Sequence, residues 1–187
     1  NLVNQGRVWG SSKLVSLHMH TEYCLLDGAN QIDPLMQQVK SFGQPAVAMT
    51  DHGNMFGAVE FYRKAKEAGV KPIIGCEAYM APGSRLEKNS HLAHNDYYHL
   101  ILLATNLKGY QNLIKLVSKA YLEGFYYKPR MDKEILQQHH EGLIGLSGCL
   151  SGEVAYLIGQ KDLAGATKAA GEYREIFGKD NYYLELQ

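Results

Sequence analysis

His18 and His20 follow a short apolar segment, Leu14 to Leu17, that predicts a buried strand. Because successive side chains of a strand point to opposite faces, both imidazoles are expected on one face and Met19 on the other. Neutral imidazole is a strong ligand for zinc, manganese or iron. The spacing alone fits two half-exposed histidines at a strand end equally well, so a metal site requires further ligands.

Further potential ligands stand at the ends of four more predicted strands. A single histidine at a strand end is usually a packed residue, but recurrence over five strands is hard to explain by packing. In a parallel α/β fold the carboxyl ends of the strands share one face, where active sites form. The additional ligands are His52 (after strand 45–50), Glu77 (near the end of 71–79), His99 (near the start of 98–104), Cys149 (after 143–146) and Asp27, which lies in a loop.

The chemistry of these ligands indicates a metal cluster. Imidazole and thiolate bind borderline-soft metals, and carboxylates such as Asp27 and Glu77 can bridge two cations. So many ligands predict two or three divalent ions, with zinc as the expected tight occupant and manganese or magnesium as alternatives. Such a cluster suits phosphoester hydrolysis, because one metal activates water while the others stabilise the attacking and leaving oxygens.

Strands and helices alternate along the first half of the chain, which predicts an α/β fold with parallel strands. Asp33-Pro34 has the residue types of a helix start, and Asp132 those of a helix cap. Phe125 to Arg130 is predicted to be an aromatic and basic loop. The predicted helices are 33–42, 55–68, 109–121, 132–138, 150–158 and 162–177, and a sixth strand covers 181–186.

The composition is that of one globular domain, with 187 residues, 45% of them hydrophobic and 20% charged. Lys and Arg total 19 and Asp and Glu total 19, so the net charge indicates neither a nucleic acid nor a membrane partner. The three cysteines, an odd and sparse set, indicate reduced thiols in a cytoplasmic protein. No apolar run is long enough to cross a membrane. Residues 1–12 are predicted to be an extension outside the fold, and 13–187 a single domain.

Several long motifs carry a resemblance to a known family. The segments HMHTEYCLLDGA, AMTDHGNMFGAVEFYRKAKEAGVKPIIGCEAYMAP, YYHLILLATNLKGYQNLIKLVSKA, KPRMD and GLIGLSGCLSGEV resemble the PHP (polymerase and histidinol phosphatase) domain that begins the bacterial replicative DNA polymerase III alpha subunits. The likeness covers nearly everything from 13 to 187. It implies a distorted seven-stranded TIM-like (β/α) barrel. It also implies a cluster of up to three metals and, in many members, a 3′–5′ exonuclease that can proofread.

The resemblance assigns catalytic and metal-binding roles residue by residue. A cysteine at position 149 is a variant that the family uses where other members have histidine. A final Asp-x-His, which normally completes the site, is not reached before the chain stops, so a truncated barrel that is catalytically weak or inactive is expected. The matching ligands are His18, His20, Asp27, His52, Glu77, His99 and Cys149.

A basic and aromatic segment suggests where DNA would bind. Phe125, Tyr126 and Tyr127 stand among cations, and this mixture suits a single-stranded nucleic acid through phosphate contacts and base stacking. Most of the lysines are expected on a solvated helix face. Lys128 and Arg130, on either side of a proline, are the predicted phosphate contacts.

Some neighbours of the ligands have roles that the sequence leaves open. Asp51 could orient His52 or cap the following helix, and the cap is slightly favoured. Cys24 is expected to be a small buried residue near the mouth of the site. Cys76 should face the core, while the face taken by Glu185 is not determined by the pattern.

Three functions compete at this stage. The first is a metal-dependent phosphoesterase acting on a DNA primer 3′ end within a larger polymerase, alongside other replisome subunits and away from membranes. The second is a structural domain that stabilises the polymerase or binds a proofreading subunit. The third is a phosphatase of the histidinol phosphate type, which shares the metal chemistry but matches the motifs less well.

Overall fold

The computed structural model describes residues 14–25, 27–88 and 97–186. The predicted extension at 1–12 and the loop histidines His91 and His94, expected from the sequence to be solvated, lie outside the described residues. Mixed α/β structure forms the described part, with helices packed against one twisted sheet. None of its helices in these ranges combines the length and apolar character needed to span a membrane.

The sheet has seven strands, most of which match the predicted ones. They are β1 (Ala46–Met49), β2 (Lys71–Met80), β3 (Tyr98–Ala104), β4 (Phe125–Tyr126), β5 (Lys128–Met131), β6 (Leu143–Leu146) and β7 (Tyr182–Tyr183).

The central strand is β2. On one side it pairs in parallel with β1 along its first half and with β5 at its end, and on the other side it pairs with β3. Strands β6 and β7 extend the sheet beyond β3, and β4 extends it beyond β5. Within the described ranges this sheet is open and does not form the closed barrel that the resemblance implies.

The prediction that all strands run parallel is wrong for β3, which is antiparallel to both β2 and β6. A parallel pair needs a long crossover, usually a helix, whereas an antiparallel neighbour can be reached by a loop. The sequence between Met80 and Tyr98 shows no helical periodicity, and this absence was the signal for an antiparallel strand. The reversal brings the start of β3 to the rim where β2 ends.

Two further predictions are corrected at the level of local structure. The segment 125–130 is a β4–β5 hairpin and not a loop, and Tyr127 joins its strands with a φ of 56°. The predicted strand at 14–17 is reduced to one parallel bridge between Ser16 and Val47. A single bridge still fixes the direction of the chain as it approaches His18.

The helices follow the predicted ones with shifts of a few residues at their ends. Asp132 accepts a hydrogen bond from the Ile135 amide, as a helix cap should. Asp33 lies inside the first helical turn and pairs with Lys64 at 2.8 Å instead of capping the helix. The helices are α1 (Ile32–Ser41), α2 (Ala58–Ala68), α3 (Leu107–Leu122), α4 (Lys133–His139), α5 (Glu153–Gly159) and α6 (Leu163–Phe177).

Candidate metal centre

Glu77 is the centre of the candidate site. Strand β2 places its carboxylate at the rim of the sheet with 1% of the residue exposed. Its Oε2 atom lies 2.9 Å from Nε2 of both His18 and His20 and 3.2 Å from Nε2 of His52. Its Oε1 atom lies 2.7 Å from Nδ1 of His99. Four imidazoles from three segments of the chain therefore converge on one buried carboxylate.

Backbone pairing explains this convergence. His52 pairs with Glu77 across a parallel bridge that continues the β1–β2 ladder. His18 and His20 share one face, as the strand alternation predicts, while Met19 packs against the core under α1 and α2. His99 reaches the same rim because β3 is antiparallel. Two strand ends and one approaching segment thus fix the positions of the imidazoles around the end of β2.

Cys149 joins the cluster from the loop after β6. Its Sγ atom lies 3.5 Å from Nδ1 of His99 and 3.8 Å from Oε1 of Glu77. Gly148 has a φ of 76° and lies against the His99 carbonyl, where an added Cβ would come within 3.2 Å. The Ser151 carbonyl accepts the His99 amide at 3.0 Å, so the loop is tied back to β3. We call Glu77, His18, His99 and Cys149 the Glu77 group.

A second set of donors lies on the other side of His20 and His52. These two rings are stacked, with centroids 4.3 Å apart and planes inclined by 13°. Their Nε2 atoms face Glu77, and their Nδ1 atoms lie 4.0 and 3.3 Å from Oδ1 of Asp27. The Cys24 thiol is 2.8 Å from the same oxygen. We call Cys24, Asp27 and these two Nδ1 atoms the Asp27 group.

A tight turn holds the Asp27 group. The Gly28 amide donates to the Cys24 carbonyl at 2.8 Å, and an added Cβ on Gly28 would lie only 1.8 Å from the Thr21 carbonyl oxygen. Fully buried Asp51 accepts hydrogen bonds from the amide and hydroxyl of Thr21 at 2.6 and 2.7 Å. Asp51 therefore neither caps α2 nor orients an imidazole, but fastens the turn to the end of β1.

The pKa values in the Glu77 group show how strongly the side chains interact. Burial alone would raise the pKa of Glu77, but hydrogen bonds from three imidazoles hold it well below its usual range. Burial opposes the charge on His18, yet hydrogen bonds to Glu185 and Glu77 raise its pKa to about 10. The hydrogen bond to His99 lowers the pKa of the Cys149 thiol. Anionic donors and imidazoles are thus concentrated in one place.

The donor set fits divalent metals. Carboxylate, imidazole and thiol are the usual ligands of zinc, and a carboxylate with both oxygens engaged can serve two cations. Nδ1 of His20 is buried and has no hydrogen-bond partner within the described part of the chain. A buried nitrogen in that state is costly unless something binds it. Three overlapping sets of donors could each hold an ion: His18-His20-Glu77, His52-Glu77-His99 and His20-Cys24-Asp27-His52.

A model of the PHP domain family matches residues 16–187. The chain belongs to the PHP family. Among its curated relatives, the DNA polymerase III subunit alpha of Treponema pallidum is 53% identical over 173 residues, which are 92% of this chain and 15% of that protein. The corresponding subunit of Thermus aquaticus is 52% identical over 178 residues, 94% of this chain and 14% of that protein. The chain therefore spans a small part of the length of these relatives.

A solved amidohydrolase structure shows distant similarity to this PHP domain. An amidohydrolase from Chromobacterium violaceum aligns with 18% identity and a TM-score of 0.39, covering 56% of this chain and 34% of that one. Similarity at this level does not inform the function.

Two residues enter the PHP site that sequence reasoning did not assign to it. Oε1 of Glu185 lies 2.8 Å from Nδ1 of His18, opposite the ring nitrogen that faces Glu77. Cys24 was expected only near the mouth, yet its thiol contacts Asp27 and lies 3.3 Å from Nδ1 of His52. The signal for Cys24 was its place three residues before an acidic ligand in a turn. No pattern fixed the face of Glu185.

The predicted phosphate contacts have different surroundings. The guanidinium of Arg130 is buried, 5% exposed, and donates to the backbone carbonyls of Glu87 and Gly124. These bonds give Arg130 a structural role in the hairpin and do not support a phosphate contact. Lys128 is half-buried, and its ammonium lies 5.4 Å from the ring centroid of Tyr79. Lys128 therefore lies beside the metal centre, and its phosphate contact stays a prediction.

Aromatic rings form one wall of the site. Tyr79 stacks against His52 with centroids 5.7 Å apart, and Tyr97 lies parallel to His99 at 5.9 Å. The two tyrosines meet edge to face at 4.9 Å. This wall lies between Lys128 and the imidazoles, so a cation and aromatic faces border the ligand cluster. Cys76 points away, fully buried in the core as predicted.

Proposed function

We propose that this chain is the PHP domain of a bacterial replicative DNA polymerase. We propose further that it holds a cluster of divalent metals for phosphodiester hydrolysis at a DNA 3′ end. One observation carries the proposal: the buried carboxylate of Glu77 is shared by four imidazoles, with a thiol and a second carboxylate close by. The identity to polymerase III alpha subunits over nearly the whole chain supports the polymerase context.

The side chains of the site would each hold a different part of the metal cluster. Glu77 would be shared between ions, with His18 on one side and His99 and Cys149 on the other, and Asp27 would hold a third. His20 and His52 lie between these sites, and each would serve one of the ions. When bound, the metals would activate water and stabilise the attacking and leaving oxygens. Burial of Glu77 strengthens its attraction for cations by excluding water. We propose zinc as the tight occupant, with manganese or magnesium able to replace it.

The wall beside the cluster suggests how a DNA end would be positioned. Lys128 would contact a phosphate, and the partly exposed ring of Tyr97, which meets the buried Tyr79 edge to face, would border the terminal nucleotide. The expected partners are the primer 3′ end, the remainder of the polymerase and other replisome subunits. This context would place the protein in the cytoplasm, in agreement with its free cysteines.

The sheet also supports a barrel as the architecture of the domain. The segment ending at His18 borders β1, and the segment containing Glu185 follows β7 at the opposite end of the sheet path. The contact between His18 and Glu185 joins these two edges at 2.8 Å. We infer that the open sheet is most of a distorted TIM-like barrel, with the metal centre at one rim.

Two measurements test the proposed function. Metal content of the purified chain, measured by inductively coupled plasma mass spectrometry, should fall sharply in Glu77→Gln and stay unchanged in His139→Ala, a control on helix α4. In the polymerase subunit that carries this sequence, Glu77→Gln should abolish removal of a mismatched primer 3′ nucleotide with manganese or zinc. Unchanged metal content would contradict the metal site. Bound metal without any nuclease activity would favour the structural role.

A further inference from the structure

The Asp27 group contains a thiol whose role neither the motif ligands nor the proposed reaction explains. We propose that Cys24 is a metal ligand and that it makes the Asp27 group selective for thiophilic ions such as zinc. The proposal deepens the proposed function and rests on metal binding at this rim. It assigns to the site a ligand beyond the seven that the sequence motifs supply.

The first support is the arrangement of the donors. Sγ of Cys24 lies 2.8 Å from Oδ1 of Asp27 and 3.3 Å from Nδ1 of His52, which is itself 3.3 Å from that oxygen. One ligand atom from each of these residues and one from His20 all lie within 4.8 Å of one another. Bonds of about 2.0–2.3 Å in a tetrahedron place ligand atoms about 3.3–3.8 Å apart. Small adjustments would bring this set to a tetrahedral zinc site.

The second support is the unsatisfied nitrogen of His20. Its Nδ1 atom faces the Asp27 group, 4.0 Å from the Asp27 carboxylate, and is buried without a hydrogen bond in the described ranges. Its Nε2 atom already contacts Glu77. The group therefore includes a buried donor atom aimed at the other three and engaged by none of them.

The third support is that the turn fixes the thiol in place. Cys24 is 2% exposed, and its carbonyl accepts the amides of Asp27 and Gly28 at 3.3 and 2.8 Å. Its own amide donates to the Thr21 carbonyl at 2.9 Å. Since a bound metal must displace the thiol hydrogen bond to Asp27, the proton of Cys24 leaves to solvent when the sulfur becomes a ligand.

The chemical consequence is metal selectivity. A thiolate favours zinc and other soft or borderline ions, whereas carboxylates and imidazoles alone also accept manganese. Cys149 places one sulfur beside the Glu77 group, and Cys24 places one in the Asp27 group. The centre thus has one sulfur at each end, separated by the stacked imidazoles.

Cobalt spectroscopy on the purified chain tests the assignment, because only sulfur ligands give an intense near-ultraviolet charge-transfer band with Co²⁺. Cys24→Ser and Cys149→Ser should each remove part of the band, and the double variant should remove all of it. Cys76→Ala, which removes the buried core thiol, should leave the band unchanged. Zinc affinity in Cys24→Ser should fall at least about tenfold. Even the loss of a residue that only hydrogen-bonds to a metal ligand lowers metal affinity by about 10–100-fold.

Cadmium-113 NMR on the unmodified chain gives an independent result if a variant fails to fold. Two cadmium resonances, each with the shift of a single sulfur ligand, support the proposal. A full cobalt band in folded Cys24→Ser, or one sulfur-ligated cadmium alone, would overturn the assignment of Cys24 while leaving the proposed function intact. Absence of any cobalt or cadmium binding would overturn the proposed metal function itself.

Discussion

The Glu77 group and the Asp27 group meet at the stacked rings of His20 and His52 but are built in opposite ways. The Glu77 side chain is 1% exposed and sits within a strand that pairs on both sides. The Asp27 side chain is 50% exposed and belongs to a turn. The paired strands fix one carboxylate before any ion binds, whereas the other depends on a turn anchored by Thr21 and Asp51. Glu77 should therefore control the whole centre and Asp27 only one end of it.

Glu77→Gln should have the largest effect. Loss of the shared carboxylate removes a ligand from two of the three donor sets. Stabilisation of the transition state by bound metals is worth several kcal/mol, or about 10²–10⁴-fold in the rate of hydrolysis. Metal analysis and exonuclease rates should both collapse. Because an ion that binds only the folded state stabilises it, a chelator should lower the melting temperature of the wild type by more than that of the variant, which keeps only the donors of the Asp27 group. An equal chelator effect on both proteins would show that Glu77 is not the shared ligand.

Asp27→Asn should reduce metal content only in part. The amide keeps the size of the side chain but loses the charge that attracts the cation, so the ion of the Asp27 group should bind about 10–100-fold more weakly. Ions in the Glu77 group should remain, as a metal titration would show. If Asp27→Asn emptied the site as completely as Glu77→Gln, the distinction between the two groups would be wrong.

Glu185→Gln tests a positioning residue next to the Glu77 group. Glu185 holds the His18 nitrogen that faces away from Glu77, and such partners orient a ligand and increase its basicity. Zinc affinity should fall about tenfold, while Glu185→Asp, which keeps the charge, should recover part of it. A purely structural role would instead lower thermal stability without changing the metal affinity of the folded protein.

Lys128→Ala should have the smallest effect, because its ammonium lies over the Tyr79 ring and, within the described residues, contacts neither group. The variant should bind metal normally and require a higher concentration of DNA substrate. The slope of log affinity against log salt concentration should become shallower by about 1, which is the change expected for the loss of one phosphate contact. Lys168→Ala, with a side chain 80% exposed on α6, is the matched control. Reduced metal content in Lys128→Ala would contradict its placement outside the two groups.

The sequence predicted the residues of the Glu77 group because strand periodicity determines which side chains share a rim. His18 and His20 face one way for that reason, and His99 was placed at the start of its strand. The direction of β3 was predicted wrongly, because the strand–helix alternation of the first half does not continue between β2 and β3, where the sequence has no crossover helix. Ligand position could be predicted locally, whereas strand direction depends on the connection between strands.

Residues held by loops and by distant contacts were harder to predict. Cys24 and Glu185 reach the centre through a turn and through an approach from the far end of the chain, and neither has a periodic signal. Arg130 looked like a phosphate ligand from its neighbours, but only the fold shows that backbone carbonyls occupy its guanidinium. A basic residue in a motif can therefore have a structural role in the hairpin to which it belongs.

The stacked rings of His20 and His52 have a consequence for how many ions the centre can hold at once. A neutral imidazole has one lone pair and one N–H, so each ring can be a ligand through only one of its two nitrogens. Each ring presents one nitrogen to Glu77 and the other toward Asp27. Whichever tautomer forms determines which end of the centre the ring serves. Ions at the two ends therefore compete for the same rings, and filling one end should weaken binding at the other.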